Sequence, residues 1–211
     1  MNYINKKKLS TALMLALITY SANAFSTTED KDIKKIEDYL NSIKSMRANF
    51  VQIASNGDKV EGQIYIEKPN KIRMEYNAPS NILIVGNGDY IVYYDKELDQ
   101  ITNIDYDDIP ATLILANDIK IDGKKIKVLD FYQDSGSTTI TLDYADKGDL
   151  GPITLVFSNN PMELKQWKIV DPQSVEVSVS LYDAKKDQPL DEKIFKFKEK
   201  KSGAKGYKKK R

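Results

Sequence analysis

The stretch Val60-Glu-Gly-Gln-Ile-Tyr-Ile-Glu-Lys-Pro-Asn-Lys-Ile-Arg-Met-Glu-Tyr76 constrains the fold more than any other part of the chain. Val60, Gly62, Ile64 and Ile66 alternate with Glu61, Gln63, Tyr65 and Glu67. After Lys68-Pro69-Asn70 the rhythm resumes, with Ile72, Met74 and Tyr76 against Lys71, Arg73 and Glu75. Successive side chains of a strand point to opposite faces, so this pattern predicts two antiparallel strands, each with one apolar and one wet face. It continues through residues 81–85, a Gly86-Asn-Gly88 turn and residues 90–95. A sheet of this length needs an apolar cover, and few segments of the chain can supply one.

Two segments have the right pattern. Ser26-Thr-Thr-Glu29 reads as a capping box, and Ile33, Ile36, Leu40 and Ile43 follow at helical spacing, which predicts an amphipathic helix over residues 28–45. Further on, Pro110-Ala-Thr-Leu-Ile-Leu-Ala116 reads as a short apolar helix with Asp108 as its N-cap and Pro110 in the first turn. A helix so short is not stable alone and must be held by packing. The remaining runs read as strands: residues 46–54 and 100–104, and then 128–133, 138–144, 153–159, 164–170, 175–182 and 193–198. Turn residues such as Asp134-Ser-Gly136, Asn159-Asn-Pro161 and Asp187-Gln-Pro189 separate the later ones, an arrangement that predicts an antiparallel meander. Two helices cannot cover such a sheet from both sides. The expected fold is therefore mainly β, an incomplete antiparallel β-barrel with an N-terminal and a short central helix over its inner face.

Residues 1–24 read as a cleaved secretory signal: Lys6-Lys-Lys8, an apolar run from Leu9 to Tyr20, and then small residues at Ala22 and Ala24. The run is shorter than the roughly 20 apolar residues a membrane span needs. With no cysteine there is no lipid-attachment thiol and no disulfide framework. The expected product is an exported, periplasmic protein with one domain over residues 25–198 and a basic tail over 199–211. The formal net charge of +1 conceals an asymmetry: residues 25–192 hold 19 Lys/Arg and 30 Asp/Glu, residues 193–211 hold 10 and one. An acidic body argues against nucleic-acid binding, which puts basic residues on a structured face.

The chain also has no histidine, so Ser-His-Asp, Cys-His and His/Cys metal arrangements are impossible. No phosphate loop, nucleophile elbow or dinucleotide fingerprint is present. Asp105, Asp107 and Asp108 lack the glycine and distal glutamate of a calcium loop and read as a solvated acidic turn. A carboxylate-based hydrolase needs only two acids, and acids are too common here to be a signal. No catalytic group, metal or cofactor is therefore expected. Lys68 and Arg73 flank the hairpin turn; the spacing leaves open whether they are solvated cations or donors to carbonyls of a covering helix. Ile64, Ile66, Ile72, Met74, Tyr76, Ile82 and Ile84 leave open the same choice between core and cavity wall.

Phe50-Val-Gln52, the Gly62–Tyr76 run, Pro79, Val85-Gly-Asn-Gly88, Tyr94-Asp95, Gln100-Ile-Thr102 and Pro110-Ala-Thr-Leu-Ile-Leu115, in that order, resemble the periplasmic outer-membrane lipoprotein carriers of the LolA type. The resemblance spans about residues 33–197. It differs at Lys68-Pro69, where the family commonly has Arg-Pro, at Met74 in place of Trp, and at Ile109-Pro110 in place of Thr-Pro. The resemblance implies an apolar cavity for acyl chains, with Phe50, Ile64, Ile66, Ile72, Met74, Tyr76, Ile82 and Ile84 as its lining. It implies a lid bearing Leu113, Ile114 and Leu115, latched by Lys68 or Arg73. It also implies lipoproteins as cargo, an ATP-driven inner-membrane complex as donor and an outer-membrane lipoprotein as acceptor, with the carrier a monomer. The acceptor itself would need a lipid-bearing cysteine. An envelope-stress sensor module of the same fold is the alternative, but it adds a second domain for which this chain is short.

Overall fold

The computed structural model describes residues 23–147, 150–170 and 174–198, with residues 23–28 described as backbone only. The expected signal segment, apart from Asn23 and Ala24, and the basic tail 199–211 lie outside the described residues. Helix α1 (Asn23–Ser42) is followed by six strands: β1 (Ser45–Ala54), β2 (Lys59–Glu67), β3 (Lys71–Tyr76), β4 (Ile82–Asn87), β5 (Ile91–Asp95) and β6 (Gln100–Ile104). Two 3-10 segments come next, Tyr106–Asp108 and Pro110–Leu115. Five more strands complete the sheet: β7 (Ile126–Gln133), β8 (Ser137–Tyr144), β9 (Ile153–Asn159), β10 (Met162–Val170) and β11 (Glu176–Lys186).

All eleven strands form one antiparallel sheet in the order β6-β5-β4-β3-β2-β1-β11-β10-β9-β8-β7. β1 is the centre, paired to β2 on one side and to β11 on the other. The consecutive strands β6 and β7 are the two opposite edges, so the sheet is not closed. The connection between them, residues 105–125, has to span from one edge of the sheet to the other. It carries both 3-10 segments.

Alternation along the central hairpin is as the sequence predicts. Gly62, Ile64 and Ile66 of β2 stand opposite Tyr76, Met74 and Ile72 of β3, and across β1 they face Phe50, Ala48 and Met46. These residues share the inner face. Helix α1 covers one half of it with Ile36 and Leu40, both fully buried. Its Tyr39 hydroxyl accepts the Leu164 N–H at 3.0 Å, at a register shift in β10 between Leu164 and Gln166 that interrupts regular pairing. Asn41 grips Ile119 of the crossover at both main-chain groups, each at 2.8 Å.

Four sequence expectations are corrected. Asn23-Ala-Phe contains no helix breaker, and α1 begins ahead of the Ser26–Glu29 box instead of at it. It ends at Ser42 because Ser45 is already paired with Glu67 in the sheet. The central helix is 3-10 and not α: Thr112 N–H bonds Ile109 O, and Ala116 N–H bonds Leu113 O, at 3.1 and 3.3 Å. The tighter winding advances about 2.0 Å per residue against 1.5 Å, which helps a short connection span a wide gap. Its N-cap is Ile109, and Asp108 ends the preceding turn. Finally, the strand expected at residues 193–198 is a 3-10 turn, Glu192–Phe195, capped by the Asp191 carboxylate on Lys193 N–H at 2.9 Å. β1 and β11 already have partners on both sides, so no central edge is left for another strand. The C-terminal turn instead packs on the outer face of β3 and β4, with Phe195 2% exposed and Phe197 edge-on to Tyr94.

Gly62 tests the inner-face packing. A Cβ there would overlap the Glu75 carbonyl and lie 2.8 Å from the Phe50 ring, which is itself 5.0 Å edge-to-face from Tyr76. Gly62→Ala is expected to lower stability by about 2–3 kcal/mol or more in urea unfolding, through overpacking against backbone that cannot yield. A loss below about 0.5 kcal/mol would contradict this packing.

Candidate functional site

The half of the inner face that α1 does not cover is a cavity of about 1310 Å³. This is beyond the roughly 300–1,000 Å³ of ordinary small-molecule pockets. One wall comes from β3 to β5, with Ile72, Met74, Tyr76, Ile84, Ile91 and Tyr93. The facing wall comes from β10 and β11, with Trp167, Ile169, Val177 and Val179. The crossover roofs it with Ile109–Thr112, Ile114 and Leu115, and the β8–β9 connection contributes Lys147, Leu150 and Pro152 to the rim. Branched aliphatics and Met give a soft, polarisable lining that can follow an irregular apolar ligand. The main polar contact in the wall is internal: the Tyr76 hydroxyl donates to Gln52 Oε1 at 2.8 Å, and burial pushes the Tyr76 phenol up from its ordinary range.

Ile72, Met74, Tyr76 and Ile84 of the expected lining stand in this wall. Phe50, Ile64 and Ile66, on the same face, lie in the packed cluster with Ile36 and Leu40 of α1, and Ile82 packs half-buried against that cluster. Of the lid residues, Ile114 and Leu115 line the cavity, whereas Leu113 is fully buried in the core. The division follows from where α1 lies, which strand periodicity does not encode. The β10–β11 wall carries no motif of the resemblance. Its only sequence signal is the alternation Trp167, Ile169 and Val177, Val179.

The two expected latch cations go to different places. The Lys68 ammonium donates to Leu40 O at 2.7 Å, satisfying a carbonyl in the last turn of α1 at the negative end of its dipole. Arg73 faces outward. It donates to Ile194 O of the C-terminal turn at 2.9 Å and pairs with Glu75 through both Nε and Nη2. Each thus holds a main-chain carbonyl of a covering segment, and neither carbonyl belongs to the lid. Two hydrogen bonds to the crossover come from the hairpin turn itself: Asn70 N–H donates to Leu115 O at 3.0 Å, and the Tyr106 hydroxyl donates to Asn70 O.

Burial lowers the Lys68 ammonium from an ordinary 10.5 to about 8. Between those values the unfolded chain holds a proton that the folded protein has released, so this group's contribution to stability rises with pH across the window. Below pH 8 burying the charge imposes a constant cost, on the order of 2–3 kcal/mol at most. Unfolding midpoints measured from pH 8 to about 9, below the ordinary tyrosine range, should therefore slope upward less in Lys68→Met than in the parent protein. Equal slopes would show that Lys68 is not buried as described.

Residues 41–198 match the family model described as outer membrane lipoprotein carrier protein LolA. A Pseudoalteromonas translucida outer-membrane lipoprotein carrier protein is 27% identical over 200 residues, covering 90% of this chain and 92% of the relative. Its Pseudomonas aeruginosa counterpart is 23% identical over 199 residues, covering 90% and 94%. Among solved structures, a DUF1329 family protein from Desulfovibrio piger superposes with a TM-score of 0.51 at 9% identity, over 80% of this chain and 96% of its own, a likeness of fold. With three quarters of its length matched by the family model and a sheet left open over an apolar cavity, the chain belongs to the LolA family of outer membrane lipoprotein carrier proteins.

Proposed function

We propose that this protein binds the acyl chains of lipoproteins and carries them through the periplasm. The cavity carries the reading: a large apolar space beneath a six-residue lid, bounded by hydrogen-bonded strands on both sides. Water excludes acyl chains at about 0.8 kcal/mol per methylene, so a chain of some 15 methylenes costs roughly 12 kcal/mol to leave a membrane unsheltered. A carrier must replace that apolar surface. The names of the relatives support lipoproteins as the cargo class.

In this scheme residues 1–24 direct export and are removed. The cargo comes from an ATP-driven release complex in the inner membrane and passes, from the monomeric carrier, to an outer-membrane acceptor lipoprotein. Binding and release suffice; no bond is made or broken. Ile72, Met74, Tyr76 and Ile84 on one wall and Trp167 and Ile169 on the other contact the chains. The lid is suited to release because a short 3-10 segment opens at lower cost than a strand in a sheet.

A dansyl-labelled fatty acid, competed with a triacylated lipopeptide, tests the reading. Ile84→Asp and Ile169→Asp place a carboxylate on opposite walls, where it would be desolvated by the ligand. Each should weaken probe binding by roughly tenfold or more, with thermal midpoints little changed because the side chains border open space. Wild-type affinity in both variants would remove the cavity from the account. Unfolding of either variant would show that position to be core.

A further inference from the structure

We propose that Tyr106 is the pin that holds the front of the cavity's cover, residues 105–112, shut, and that loading the cavity requires its withdrawal from a seat between two hairpin turns. The inference rests on the carrier reading and assigns the opening step to one side chain. The Tyr106 hydroxyl donates to Asn70 O in the β2–β3 turn and accepts the Gly88 N–H of the β4–β5 turn at 3.1 Å. Gly86 forms the floor of the seat: a Cβ there would overlap the hydroxyl and press on Ile72. A bare backbone at Gly86 thus lets the ring reach two main-chain groups that a side chain would screen.

The neighbouring residue is tied to the other half of the sheet. Asp107 pairs with Lys147 of the β8–β9 connection. Residues 106 and 107 therefore bridge the two rims of the cavity. The two ties are unequal. The Asp107 side chain is 82% exposed, and such an ion pair is weak and screened by salt. The Tyr106 hydroxyl is part-buried and makes two hydrogen bonds in fixed geometry.

Beyond them the segment is held by packing, with Pro110 buried and Ala111 half-buried against the core. Hydrogen bonds of Asp108, Ile109 and Thr112 stay inside it, to Asp105 O, Tyr106 O and Ile109 O. Leu113 is fully buried and Leu115 is tied to Asn70, so they form the fixed end. Releasing Tyr106 frees residues 105–112 as one flap hinged at Leu113, which opens the cavity without disturbing a strand.

Amide hydrogen exchange on the cargo-free protein, read together with stopped-flow binding of the dansyl fatty acid, tests the pin. Tyr106→Phe keeps the ring and deletes both hydrogen bonds; Gly86→Ala fills the seat and leaves Tyr106 intact. Both should speed exchange over residues 105–112 at least tenfold while residues 31–42 of α1 and strand β9 keep their rates. Both should also raise the association and dissociation rates of the probe together, at least threefold. Asp107→Asn should give a smaller change, matched in the parent protein by raising the salt. Exchange that speeds up equally throughout the molecule would assign Tyr106 an ordinary structural role and overturn the proposal. Unchanged exchange at residues 105–112 would overturn it as well. If the parent protein binds no acyl probe, the carrier reading fails, and the exchange data still decide whether Tyr106 restrains the flap.

Discussion

The chain leaves β6 at one edge of an eleven-stranded sheet and must begin β7 at the other. That constraint organises the molecule. A closed barrel would join its edges and fill its interior with side chains; here the edges stay apart, and a connection has to span between them. Helix α1 occupies half of the inner face and makes it core. The crossover roofs the other half at a distance, and the space beneath stays open. Apolar voids destabilise proteins because their walls lose contacts, and soft structures collapse into them. Continuous antiparallel ladders on both walls resist that collapse, which is how a cavity of about 1310 Å³ persists.

Both covers have a fastening at the same place. The β2–β3 turn supplies the Lys68 ammonium to α1 at Leu40 O, its Asn70 N–H to the lid at Leu115 O, and its Asn70 carbonyl to Tyr106. Polar groups that a helix end or a crossover cannot satisfy internally thus find several of their partners in one hairpin turn. The outer face of the same hairpin serves a separate purpose. There Arg73 and the buried Phe195 fasten the C-terminal turn over β3 and β4, where Leu83 and Val85 form a small outer core. A single period-two stretch therefore divides its side chains between cavity and clasp.

This division explains what the sequence could disclose. Alternation located the strands from Lys59 to Tyr76 within a residue or so, because one face carries apolar and the other mostly polar side chains along its length. The same alternation put Ile64 and Ile72 on one face but could not say that only the second also borders the cavity. Trp167, Ile169, Val177 and Val179 form the far wall, and only pairing between strands distant in sequence brings them opposite Met74. Phe195 and Phe197 alternate like strand residues, yet β1 and β11, between which the chain emerges, are already paired on both sides; topology overrode local pattern. Tyr106 has no periodic signal at all. Its partners are main-chain groups, and only the absence of a side chain at Gly86 hints at a ring placed there.

The most direct test of the central claim is native mass spectrometry of the protein purified from its own cell envelope without detergent. The account predicts a fraction of molecules carrying the mass of a triacylated lipoprotein, and loss of that species in Ile84→Asp purified in parallel. Protein that is wholly ligand-free, or that retains the same bound mass after the cavity wall is charged, would contradict it.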